Sequence, residues 1–117
     1  MLQGVKIRVG VVGVGNCLKS LLEGISYYSE NPEVEAGLMH PVIGEYRISD
    51  IEIVAAFDID SRKVGKPLHL AAESPPNCTV PLANLVPSEV VVERGPTFDS
   101  VIPELRQYFI HESDHPA

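Results

Sequence analysis

The chain has 117 residues, 44% of them hydrophobic and 21% charged, which is enough for one domain with a single modest core. A net charge of −7, with Arg62-Lys63 as the longest basic group, leaves little to displace counterions from phosphates and speaks against a nucleic-acid partner. No run approaches the roughly 18 apolar residues of a membrane span, and two cysteines in unrelated contexts, Cys17 and Cys78, fit free thiols in the cytoplasm.

Met1 to Val14 carries only Lys6 and Arg8 within a short apolar stretch and shows no cleavage-site pattern, so it reads as a first strand and not as a signal peptide. Val5, Ile7, Val9, Val11 and Val12 form a β-branched run, the pattern of a parallel strand covered on both faces. That strand runs directly into Gly10-Val11-Val12-Gly13-Val14-Gly15-Asn16-Cys17. Two glycines therefore stand where a buried strand turns into a helix. Gly13 permits the tight turn, and Gly15 lets the backbone approach a pyrophosphate held on the amides of the helix start. Leu18 occupies the place of the third small residue of such a fingerprint. Its bulk is expected to push the helix off the strand or to turn into a neighbouring pocket. On the motif alone, glycines used only for packing remain the alternative.

Asn16 is placed to cap the first helix, its side-chain oxygen accepting from first-turn amides. Leu18, Leu21, Leu22 and Ile25 give that helix an apolar face, and Asn31-Pro32 stops it. Asn31 to Asp50 reads as an irregular insertion. Ile51 to Phe57 is the second strand and ends in Asp58-Ile59-Asp60. Asp60 or Ser61 then caps a short helix through Val64, ended by Gly65 and Pro67. Ala71 to Pro87 is rich in turn formers. Val90 to Glu93 is a third strand, cut off by Arg94-Gly95-Pro96-Thr97, and Val101 to Phe109 forms a closing amphipathic helix. These elements predict an α/β fold, a partial Rossmann-like dinucleotide-binding domain of parallel strands with flanking helices over 1–110, followed by a frayed tail over 111–117.

Asp58 sharpens the binding reading. A carboxylate at the end of the second strand can accept from an adenosine ribose, a charge-assisted bond worth roughly 1.5–3 kcal/mol. It also repels a 2′-phosphate, which favours NAD over NADP. Asp58 lies 45 positions beyond Gly13, against the usual ~20, and the insertion accounts for the excess if it loops out. Asp60 is the rival ligand, set further from the strand end. His40, His69, His111 and His115 show no metal spacing, and Cys17 has no partner that would make it a nucleophile. Nothing assembles into a general acid/base pair, Asp99 and Glu104 included.

Four segments, taken in order, resemble the myo-inositol-1-phosphate (inositol-3-phosphate) synthases of the shorter prokaryotic type. They are Val11-Val12-Gly13-Val14-Gly15-Asn16-Cys17, Gly37-Leu38-Met39-His40, Ala55-Ala56-Phe57-Asp58-Ile59-Asp60 with Lys63-Val64-Gly65, and Arg94-Gly95-Pro96-Thr97. The resemblance implies a Rossmann-like NAD domain in an enzyme of inositol and phospholipid biosynthesis. Such an enzyme converts glucose 6-phosphate to inositol 1-phosphate by transient oxidation, enolisation, aldol closure and reduction. It also implies that Gly13, Val14, Gly15, Asn16 and Cys17 line the dinucleotide phosphates, that Asp58 faces the adenosine end, and that Arg94 to Thr97 form a loop near the cofactor. Pro67 stands where the family tends to carry an acid, removing a cofactor contact and a backbone donor. The chain corresponds to an N-terminal portion, so it is expected to be inactive alone and to self-associate or pair with a complementary fragment. A non-catalytic NAD-binding or assembly module, or a degenerate fragment, is the alternative. A truncated dehydrogenase is disfavoured by Gly37-Leu38-Met39-His40.

Overall fold

The computed structural model describes residues 5–98, 102–104 and 111–117. The expected closing helix at 101–109 and Asp99 lie largely or wholly outside them. Strand β1 (Ile7–Val12) and strand β2 (Ile51–Asp58) pair in parallel, Ile7 opposite Ile51 and Val12 opposite Phe57, with a register shift between Val9 and Gly10. Strand β3 (Glu93–Arg94) adds in parallel beside Phe57 and Asp58, so the sheet order is β1-β2-β3. Helix α1 (Asn16–Glu30) connects β1 towards β2, and helix α2 (Leu68–Glu73) lies between β2 and β3. This is the parallel α/β arrangement with flanking helices that the sequence implies.

The core is one cluster: Val14, Leu18 on α1, Ala56 on β2, Leu68, Ala71 and Ala72 on α2, and Val92. Leu18 is 7% exposed and packs here, inside the seam between the helices and the sheet. Its side chain takes the pocket that the sequence left as one of its two options. β1, by contrast, is not covered on both faces. Val9 and Val11 are half-buried, but Ile7 and Gly10 are exposed and Val12 is 89% exposed. The reason is its place in the sheet: it is an edge strand, and no described element lies over its second face.

α1 also departs from its expected apolar face. Leu21 is exposed, while Lys19, Glu23 and Ser26 are buried. These three polar side chains face a strap of backbone at 79–84. Lys19 Nζ donates to the Thr79 carbonyl at 3.0 Å, and Ser26 Oγ donates to the Asn84 carbonyl at 2.8 Å. Glu23 Oε2 accepts from the amides of Leu82 at 2.6 Å and Ala83 at 3.3 Å. The helix ends at Glu30, with Asn31 as its C-terminal cap, as Asn31-Pro32 predicts.

Between Asn31 and Asp50 the chain makes turns, an isolated bridge of Ile43 with Tyr46 and one 3-10 turn at Ile48–Asp50. The insertion loops out. After β2, Asp60 caps a single turn rather than a helix. Its Oδ1 accepts from the Arg62 amide at 2.8 Å, and its carbonyl accepts from the Lys63 and Val64 amides at 3.0 Å each. Gly65, at φ +88, ends that turn.

Two further expectations change. Val90 to Val92 do not extend β3, because they pair with 65–68 instead: the Leu68 amide donates to the Val90 carbonyl and the Gly65 amide to the Val92 carbonyl. Pro67 lies within that ladder at a position that needs no donor, and its carbonyl accepts from Leu70 and Ala71 at the start of α2. The tail is also held. Ser61 donates to the His111 carbonyl at 2.6 Å, and Ser113 donates to the Ile59 carbonyl at 2.7 Å, around an antiparallel bridge of Asp60 with Glu112. The stretch 59–61 leaves β2 with unpaired backbone groups, and 111–113 satisfies them.

Candidate functional site

The loop between β1 and α1 is fixed to the end of β2 at two points. The Gly13 amide donates to the Phe57 carbonyl at 2.7 Å, and the Val14 amide donates to Asp58 Oδ2 at 2.7 Å. Asp58 Oδ1 accepts from the Ile59 and Asp60 amides at 2.7 and 2.8 Å. The acid that the sequence places on a ribose therefore sits against the glycine loop, across the looped-out insertion. Gly13 has φ +97, a conformation that a side chain rarely adopts. No atom lies within 4 Å of where a Cβ would stand on Gly13 or Gly15, so both face open space.

Gly15, in extended geometry, is the N-cap of α1, with no side-chain cap bond. The first helical bond runs from the Lys19 amide to the Gly15 carbonyl at 3.0 Å. The amides of Asn16, Cys17 and Leu18 thus have no helical acceptor. Asn16 does not cap them. Its Oδ1 turns instead to the 78–79 backbone, accepting from the Cys78 amide at 2.8 Å and the Thr79 amide at 3.3 Å. The cause is its position: as first residue of the helix, one place past the cap, its side chain cannot fold back over its own first turn. Cys17 is a free, exposed thiol in that turn, and Cys78 is likewise free and exposed.

Behind the loop lies Lys63, 3% exposed. Its Nζ donates to the Val14 carbonyl and, at 2.8 Å, to Asn77 Oδ1. Asn77 Nδ2 donates to the same Val14 carbonyl at 3.2 Å and to the Ala72 carbonyl at 2.7 Å. Burial pushes the Lys63 ammonium below its ordinary 10.5, against the pull of the Asp58 and Asp60 carboxylates. Sequence reasoning missed both residues as loop partners. Lys63 stood out only within Lys63-Val64-Gly65, and Asn77 was lost among turn formers.

Asp60, the rival ribose ligand, is committed elsewhere. Arg62 grips it through two side-chain bonds, Nε to Oδ1 at 2.9 Å and Nη2 to Oδ2 at 2.7 Å. Burial pushes the Asp60 carboxyl up, but the Arg62 guanidinium and amide outweigh this and hold it below 3.8. Arg94 is engaged with its own loop and the tail: its guanidinium donates to the Gly95 carbonyl, to Thr97 Oγ1 at 2.8 Å and to the Ser113 carbonyl at 3.4 Å, and lies 3.6 Å from Glu112 Oε1. His69 Nδ1 accepts from the Ser88 amide, a packing role. Among the described residues no group of His, Cys, Asp and Glu could hold a metal, and no helix is long and apolar enough to cross a membrane.

No protein-family model matches the chain. A search of curated proteins finds inositol-3-phosphate synthase of Mycolicibacterium smegmatis, 46% identical over 99 residues, which is 82% of this chain and 27% of that protein. Among solved structures, the crystal structure of Ari2 superposes with a TM-score of 0.70 at 33% identity, over 79% of this chain and 29% of that one. A myo-inositol-1-phosphate synthase-related protein from Thermotoga maritima superposes with a TM-score of 0.63 over 92% of this chain and 26% of its own, at 19% identity, which speaks for the fold alone. The chain spans about a quarter of the length of the curated relatives it matches. By sequence relationship and by the shared α/β fold, these 117 residues are homologous to a part of the inositol-3-phosphate synthases.

Proposed function

We propose that the chain carries the NAD-binding part of an inositol-3-phosphate synthase, the enzyme class that turns glucose 6-phosphate into 1L-myo-inositol 1-phosphate. The observation that carries this reading is the contact of Asp58 with Val14, which brings the strand-end carboxylate and the uncapped start of α1 to one place. The residues fit the cofactor: open space at Gly13 and Gly15 leaves room for a pyrophosphate at the bare amides of Asn16 and Cys17. Asp58 retains lone-pair capacity on Oδ2 for a ribose hydroxyl beside its bond to Val14. When bound, NAD supplies reversible hydride acceptance and donation. The part of this chain is to hold and orient it. Nothing among the described residues offers a catalytic acid or base pair, so the isolated chain is proposed to bind without turnover, as a cytoplasmic, thiol-bearing part of the isomerase.

The outer edge of β1, which no described strand pairs, is proposed to take a further strand, from a second copy or a complementary segment, since an open parallel edge is a template for association. Two measurements test these readings. Calorimetric titration of NAD into the purified chain should show one site, weakened at least about tenfold by Asp58→Ala. Absence of binding by the unchanged chain overturns the cofactor reading. Sedimentation should show concentration-dependent association, and a strict monomer at all concentrations overturns the edge-pairing proposal.

A further inference from the structure

We propose that Lys63 is the positioning residue of the glycine loop: it holds the Val14 carbonyl inward so that the next amide faces a bound diphosphate, whose charge its own ammonium then balances. The inference rests on the dinucleotide reading above.

A trans peptide is planar, with its C=O and N–H pointing in opposite directions. The Val14–Gly15 peptide is trans, the cis bond among the described residues lying at Pro75-Pro76. With the Val14 carbonyl drawn inward by Lys63 Nζ and Asn77 Nδ2, the Gly15 amide is turned outward. Gly15 itself borders open space, with nothing within 4 Å of a Cβ built on it. One buried side chain thereby sets the direction of an amide on the opposite side of the loop.

The charge on Lys63 is the second observation. The other buried or half-buried cations of the described residues have carboxylate partners: Lys19 with Glu23 at 3.6 Å, Arg62 with Asp60 at 2.7 Å, and Arg94 with Glu112 at 3.6 Å. Lys63 is as deeply buried as any of them, yet its bonds go to a carbonyl and an amide oxygen, both neutral. Asp58 and Asp60 pull on this ammonium without an ion-pair contact, and the part of its desolvation cost that they leave is offset by an anion across the loop. A diphosphate on the amides of Gly15, Asn16 and Cys17 is such an anion.

The test is calorimetry with NAD, ADP and adenosine on the unchanged chain and on Lys63→Met, each checked for a cooperative melt. Expected is a loss of about tenfold or more for NAD and ADP, with adenosine affinity changed less than about twofold. Equal losses for all three ligands mean a general disturbance and overturn the proposal, as does unaltered ADP binding. If the unchanged chain binds neither NAD nor ADP, the cofactor reading falls and this inference with it. If Lys63→Met does not melt cooperatively, Asn77→Ala decides: it removes one of the two donors on the Val14 carbonyl and leaves the ammonium in place. A selective weakening of ADP by Asn77→Ala supports the proposal, and unaltered ADP binding overturns it.

Discussion

Asp58 Oδ2 lies 2.7 Å from the Val14 nitrogen whose proton it accepts, so the acid ending β2 is joined to the loop that follows β1. This bond spans 44 positions of sequence and bypasses the whole insertion. Its other oxygen accepts two amides of its own turn.

Replacing Asp58 by Asn is expected to be as damaging as replacing it by Ala. Whichever way the amide is turned, its NH2 meets a backbone donor, either Val14 on one side or Ile59 and Asp60 on the other. Each variant should lose about 1.5–3 kcal/mol, the range for a hydrogen bond to a charged group. Urea unfolding checks this. An Asn variant as stable as the unchanged chain would contradict the geometry.

The two loop glycines should respond differently to Ala. Gly13 has φ +97, so Gly13→Ala is expected to cost about 1–2 kcal/mol despite the open space around it. Gly15 has φ −99, which Ala adopts readily, so Gly15→Ala should leave the melting temperature nearly unchanged. Its methyl group would instead stand in the space proposed for phosphate. Thermal melts paired with NAD titrations separate the two effects.

Leu18→Ala restores the small residue that a dinucleotide fingerprint favours, yet it should not help binding. Leu18 packs with Val14, Ala56, Leu68 and Val92, so its truncation leaves a cavity costing about 2–5 kcal/mol. Chemical denaturation should show that loss, and NAD titration under native conditions should show no gain.

The sequence carries the elements built by strong local patterns. β1 and β2 are legible from β-branched runs, the end of α1 from Asn31-Pro32, and the nearness of Asp58 to the glycine loop from letting the insertion bulge out. What it hides depends on partners far along the chain. α2 has only six residues, with Leu68, Ala71 and Ala72 as its buried side, and it follows a proline that reads as a breaker. Val90 to Val92 look like β3 until 65–68 claims their backbone groups. The burial of Lys19, Glu23 and Ser26 cannot be read locally, because nothing nearby in sequence announces the strap they bind. The tail reads as frayed because Ser113 is held by Ile59, over fifty residues away.

Acid should act through Asp60. Its carboxyl is held below 3.8 in the folded chain, so the unfolded chain binds a proton more readily at low pH. The stabilisation from Asp60 is therefore fully present above 3.8 and is lost as pH falls through the lowered value. Arg62→Ala removes the main partner and should move the acid limb of unfolding to higher pH. Circular dichroism during acid titration checks it. An unmoved acid limb would show that the pair contributes nothing to folding.

The way α1 grips residues 79–84 sets how freely that stretch can drift in sequence. Lys19, Glu23 and Ser26 read only main-chain carbonyls and amides, while Val80 and Leu82 point outward, 77% and 82% exposed. Side chains there can change without loosening the attachment, whereas deleting one residue would put every carbonyl and amide out of step with the helix. The segment should therefore accept many side chains at a fixed length, proline at 82 and 83 excepted, because Glu23 needs those two amides.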